Sequence, residues 1–174
     1  MIDACLDENE RIVFHSTSAQ FSEFDGAKLG CGQDNNSALG FFFSDDVASI
    51  PLYLRNSRDL VVAAVRVAKP VSNWSYYEIF GYDENGREVM SKDDFTKKRQ
   101  DLIAEGYDSI EYADNEEAML IALQPETIRI LTRLNESEAR HLTELISALS
   151  DAEDDQARLE CVRLVVSASQ PPQP

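Results

Sequence analysis

Two stretches decide how this chain folds: RIVFHSTSAQF, from Arg11 to Phe21, and GFFFSDDVASIPLY, from Gly40 to Tyr53. In the first, Ile12, Val13 and Phe14 have the β-branched and aromatic character of a buried strand, so residues 11–16 are expected to be extended. His15, Ser16 and Thr17 follow without a turn residue between. Three polar side chains closing a hydrophobic run either meet water at a strand end or line a cleft. The chain has two histidines, and this is the one beside a core strand. In the second stretch the aromatic density of GFFFS, Gly40 to Ser44, reads as another short buried strand. Asp45 and Asp46 then suit a helix start, with Pro51 in its early part.

The 174 residues suit one domain with a real core. With 43% hydrophobic and 28% charged residues the composition is globular. No apolar run approaches the ~20 residues of a membrane span, and the N-terminus has no signal-peptide pattern. A cytoplasmic setting is expected, in the producing cell or in a targeted one. Cys5, Cys31 and Cys161 are odd in number and far apart, which fits neither a disulfide framework nor a zinc site, and no metal is expected. Net charge is −16, from 32 acidic and 16 basic residues. Such a surface repels phosphate backbones, so the expected partner is a protein, basic or nucleic-acid-binding in character. Direct nucleic-acid or membrane binding is not expected, and the chain is read as a monomer.

Beyond these stretches, residues 18–37 are polar and glycine-dotted, a long packed loop. DLVVAAVRVAKP, Asp59 to Pro70, is the strongest strand, ended by proline. Tyr77–Tyr82 and Arg87–Met90 read as arms of a hairpin around DENG at 83–86. SKDDFTKKRQDLIAEG is a helix with Ser91 as N-cap, Gly106 as stop, and Phe95, Leu102 and Ile103 on its buried face. Strands are expected at 108–113 and 118–123 around an acidic turn, and PETIRIL continues as an edge strand. After Asn135 the period becomes helical, with capping-box patterns at Asn135–Glu138 and Ser150–Glu153. This gives a domain at 1–134, a helical hairpin at 135–168 packed on it, and a disordered tail at 169–174.

FHST, ALGFFFSDDVASIPLY and GYDSIEYADNEEAMLIALQPETI together resemble the ADP-ribosyltransferase superfamily. The branch resembled is the diphtheria-toxin and poly(ADP-ribose) polymerase type with its His, Tyr and Glu signature, and within it the small toxin-like and phage-borne members. The resemblance covers about residues 11–131. Gly40, Phe43 and Asp45 fall in register with the family's second motif, and Tyr53 falls where its stacking tyrosine stands. The fold this implies is α+β, a pair of small antiparallel sheets around an NAD cleft, followed here by the C-terminal helical hairpin.

The activity implied is mono-ADP-ribosyl transfer from NAD to a protein, with release of nicotinamide. NAD is then a substrate. That reaction needs a residue holding a ribose hydroxyl, an aromatic slot for nicotinamide, and a carboxylate for the growing positive charge. The resemblance gives His15 the first role, and Tyr53 and Phe42 the walls of the slot. Backbone beside Ser16 would hold the nicotinamide amide, and Thr17, Gly40, Phe43 and Ser44 complete the cofactor site. Two departures stand out: Ser16 replaces a glycine, and Phe42 replaces a tyrosine. Register places Met119 where relatives carry the acid, so the carboxylate is sought at Asp114, Glu117 or Glu116 in the turn, or at Glu111. Two other readings remain: a catalytically inactive binding module of the same fold, and an acidic interaction protein that masks a basic nucleic-acid-binding surface. Trp74, Tyr76 and Tyr77 read as strand packing more than as a recognition patch.

Overall fold

The computed structural model describes residues 5–83, 85, 87, 89–114, 117–149 and 154–169, and for Leu52, Tyr53, Asn56 and Asp114 the backbone alone. The class is α+β. In chain order the elements are β1 (Glu10–Thr17), β2 (Phe41–Ser44), α1 (Ile50–Tyr53), β3 (Asp59–Arg66), β4 (Pro70–Val71), α2 (Tyr76–Phe80), α3 (Lys92–Ala104), β5 (Ser109–Asp114), β6 (Glu117–Ala122), β7 (Ile128–Asn135), α4 (Glu136–Ser147) and α5 (Asp155–Ala168).

The strands form one seven-stranded sheet of order β4-β5-β6-β2-β1-β3-β7, where two small sheets are expected. Every pairing is antiparallel except β4 with β5. The sheet is nonetheless nearly divided. β1 pairs with β3 over eight positions, from Glu10↔Arg66 to Thr17↔Asp59, but meets β2 at Phe14↔Ser44 alone. A single ladder rung therefore joins β3, β1 and β7 to the half made by β2, β6, β5 and β4.

Alternation along the strands sorts the core. Ile12, Phe14, Leu60, Val62 and Leu134 pack with Leu142, Ile146, Leu159, Val162 and Val165 of α4 and α5. Ile110 and Ile121 pack with Ile79 and Phe80 of α2 and with Phe95 and Leu102 of α3. On the opposite face Val13, Phe43, Ala63, Val65, Leu120 and Ala122 lie beneath Phe24 of the 18–37 loop. The helices thus cover one face in two groups, and the single Phe14–Ser44 rung lies between them.

Local chemistry explains where elements begin. Asn135 accepts hydrogen bonds from the N–H groups of Ser137 and Glu138, and Glu138 reaches back to Asn135, the reciprocal cap expected there. The second expected box, Ser150–Glu153, lies outside the described residues; α5 begins under Asp154, whose carboxylate accepts from Gln156 and Ala157. β7 is the edge strand expected of PETIRIL, starting after Thr127. The hairpin arm expected at Tyr77–Tyr82 is instead α2. Ser75 and Glu78 cap it reciprocally, and Gly81 ends it at φ 65°, so backbone caps override the β-propensity of tyrosine.

Candidate functional site

The site grows from the interrupted pairing of β1 with β2. In an antiparallel pair, alternate residues direct both their N–H and C=O to the same neighbour. On β1 the residues facing β2 are Ile12, Phe14 and Ser16. Phe14 has its rung with Ser44, and the same register would set Ser16 opposite Phe42. That rung does not form. His15 Nδ1 takes the carbonyl of Phe42 at 2.9 Å. A carbonyl can only accept, so Nδ1 carries the proton. Among the described residues Ser16 then has no strand partner on this side, and its N–H and C=O are directed at the gap.

That gap is a cavity of about 200 Å³, lined by Phe14, His15, Ser16, Phe42, Phe43, Ser44, Ile50, Leu60 and Met119. Five of the residues expected at the cofactor site are thus brought together. Met119 sits opposite Ser44 on β6. The Ser44 hydroxyl is engaged in its own turn, donating to Asp46 C=O at 2.9 Å.

A second cavity of about 720 Å³ shares His15 and Phe42 with the first and adds Thr17, Gly40, Phe41 and the loop carrying Phe21, Phe24, Lys28 and Ser37. The histidine is the wall between the two spaces. Its ring is boxed edge-on by Phe24 at 5.5 Å and Phe21 at 6.4 Å, with Phe43 tilted at 5.7 Å. Burial holds the imidazole below its ordinary pKa. The bond to Phe42 opposes this, and the positive charge of Arg133 adds to it. His15 is therefore a neutral ring with a fixed tautomer.

Sequence reading missed Arg133, Phe21, Phe24 and Lys28. Arg133 on β7 donates to Ala19 C=O at 3.0 Å and to Phe21 C=O at 2.8 Å, and its guanidinium lies 4.6 Å from the Phe21 ring centre. It ties the loop down over His15. Partners more than a hundred residues apart leave no mark in a local pattern.

The remaining expected residues divide. The side chains of Tyr53 and Asp114, and Glu116 as a whole, lie outside the described residues; Ile50, three residues before Tyr53, lines the smaller cavity. Glu117 pairs with Asp114 across the β5–β6 turn and shares a face of β6 with Met119. Glu111 points to the other face and is ion-paired with Arg11 at 2.7 Å. Phe42 stacks on Phe80, centroids 6.2 Å apart, so its ring is a braced wall. Gly40 is needed for space: a Cβ there would stand 2.5 Å from Ile121 Cγ2 and 2.6 Å from Ala122 O. Tyr76 stacks on Tyr82 and packs against Phe80, and Trp74 packs against the same core, as the packing reading expects, while Tyr77 is exposed and departs from it. No group of His, Cys, Asp and Glu among the described residues could hold a metal ion. Among them, too, no helix is long and apolar enough to cross a membrane.

No protein-family model matches the chain, and no curated protein matches it. Among solved structures, a "Crystal structure of an anti-CRISPR protein" aligns with a TM-score of 0.41 and 16% identity, over 70% of this chain and 95% of that one. A likeness of that size carries no argument about fold or function.

Proposed function

We propose that the chain is a mono-ADP-ribosyltransferase, moving one ADP-ribose unit from NAD⁺ to a protein with release of nicotinamide. The observation that carries this is the missing rung. His15 occupies the Phe42 carbonyl, which leaves the N–H and C=O of Ser16 turned to a small apolar cavity. A carboxamide on a flat ring fits that edge: its oxygen accepts from the Ser16 N–H, and its NH₂ donates to the Ser16 C=O. The braced Phe42 ring supplies a stacking face, worth about 0.5–1.5 kcal/mol beyond area burial. Tyr53 is assigned the opposite face, from the helix whose Ile50 already lines the cavity.

The larger cavity takes the ADP part. Its 720 Å³ lies within the ~300–1,000 Å³ usual for cofactor sites. Lys28 is the cation available there for a pyrophosphate, and the proton-bearing edge of His15 fixes the wall along which the ribose passes. In this arrangement the nearly divided sheet stands for the two small sheets of the resembled fold.

In the transfer the bond from ribose C1′ to the nicotinamide nitrogen breaks, and the ring leaves with the electron pair, neutral. A nucleophile of the target bonds to C1′ and loses a proton. A carboxylate stabilises the positive charge in between. Glu117 and Asp114 are assigned that task, because they flank the turn beyond Met119, on its face of the sheet. Glu111 is the weaker candidate, since it faces away and already neutralises Arg11. The acidic surface favours a basic protein as acceptor.

One observation favours the inactive binding module: Met119, without charge, lines the cavity itself. The same experiment separates the two. The protein is incubated with NAD⁺ and a cell lysate, and free nicotinamide is measured beside His15→Ala. Release by the native chain and loss in the variant support transfer. Binding of NAD⁺ without release leaves the module. Absence of both ends the NAD reading.

A further inference from the structure

On the other side of the Phe14–Ser44 rung, β1 and β2 are also apart, and there the gap is filled. The register would next pair Ile12 with Asp46. Instead Asp155 Oδ1 accepts the Ile12 N–H at 2.8 Å, and Arg158 Nη1 donates to the Ile12 C=O at 3.3 Å. The same guanidinium donates to the Asp45 carboxylate through Nη1 and to the Asp45 C=O through Nη2 at 3.1 Å. The open edge of β1 at Ile12 is thus satisfied by side chains from α5, a helix beyond the span of the family resemblance, while the Asp46 N–H and C=O are taken up by the Ser44 hydroxyl. Arg158 is 5% exposed. A buried ion pair is seldom more stabilising than apolar groups of equal volume, so stability alone does not account for this one.

We infer that Asp155 and Arg158 are positioning residues: they hold β1 off β2 at Ile12 and thereby keep the strands unzipped at Ser16, so that the small cavity stays open. The mechanism is cooperative zipping, in which a second rung on one flank aligns the strands for a third on the other. Two strands joined at one rung extend their ladder as soon as either flank can close to the ~4.8 Å spacing of paired strands. With the Ile12 flank wedged, the Ser16 flank is left to His15. If the wedge is removed, Ser16 N–H displaces His15 from the Phe42 carbonyl, and the edge offered to a carboxamide is consumed. The consequence for NAD⁺ rests on the function proposed above; the wedge itself does not.

The test uses the full chain carrying Arg158→Met, with Arg158→Lys beside it. Nitrogen NMR of the His15 imidazole reports its Nδ1–H bond without any ligand, and calorimetric titration reports NAD⁺ affinity. The expected result is loss of the hydrogen-bonded Nδ1–H signal in Arg158→Met, with affinity for NAD⁺ at least tenfold weaker and Arg158→Lys between the two. A folded Arg158→Met protein with an unchanged His15 signal overturns the inference. Should that variant not fold, an unchanged signal in Arg158→Lys overturns it instead. A changed signal in a protein whose native form never binds NAD⁺ upholds the wedge and removes the nucleotide reading.

Discussion

His15 holds the carbonyl of Phe42 at 2.9 Å, in the position that the Ser16 N–H would take if β1 and β2 continued to pair. One side chain therefore ends a ladder and opens a cavity. Its bond is made through a neutral ring in aromatic surroundings, and the first prediction follows from that state.

Because burial, aided by Arg133, depresses the folded pKa below 6.5, the unfolded chain takes up the proton first as pH falls. The contribution of His15 to stability is whole above pH 6.5 and is lost as pH drops through the folded pKa. Thermal melting of the native chain minus that of His15→Gln, followed downward from pH 6.5, should show this loss. A flat difference across that range would mean that the ring is solvated.

The carboxylate assignment is tested at the β5–β6 turn. Glu117→Gln or Asp114→Asn should lower nicotinamide release by about 10²–10³-fold, the usual effect of removing a group that stabilises transition-state charge. Melting temperature should stay nearly constant. Glu111→Gln should leave release unchanged and cost about 0–1 kcal/mol, since its pairing with Arg11 is partly solvated. Equal activity in both turn variants would place the acid elsewhere.

Gly40→Ala should destabilise by about 1–3 kcal/mol in urea unfolding, as over-packing does. The new methyl meets Ala122 backbone as well as Ile121, and backbone cannot rotate away. A neutral result would show that β2 shifts freely against β6.

Asp45→Ala should cost more, about 3–5 kcal/mol, because it removes the carboxylate in shortest contact with the buried Arg158 guanidinium. Arg158→Met in the same assay should cost less than Asp45→Ala. The order of the two denaturation midpoints checks this, and the reverse order would argue that Asp155 alone neutralises the arginine.

The error at Tyr77–Tyr82 has a specific cause. Tyrosine-rich residues before a DENG turn have strand propensity, yet Ser75 and Glu78 form a reciprocal cap whose two ends are visible in the sequence as S-x-x-E. Propensity in a five-residue segment is a small quantity, and capping bonds outweigh it. Asp46, by contrast, was readable as a helix start and caps the turn that leads into α1.

Local pattern by itself determined β1, β2 and the body of β3, because Ile12–Phe14, Phe41–Phe43 and Leu60–Val65 are continuous hydrophobic runs, although β3 ends at Arg66 and Pro70, expected to end it, instead begins β4. It also determined α3 and α4, whose caps and stripes lie within a few residues of each other. The family resemblance carried by those stretches, and not the pattern itself, grouped His15, Ser16, Phe42, Phe43 and Ser44 as one expected site. What only the tertiary structure decided is the break between β1 and β2. Where a ladder stops depends on Asp155 and Arg158 reaching Ile12 from the far end of the chain, and on Arg133 fastening the loop that encloses His15. Those contacts span more than a hundred residues, and hydrogen bonding at such separation is set by the packing of whole elements.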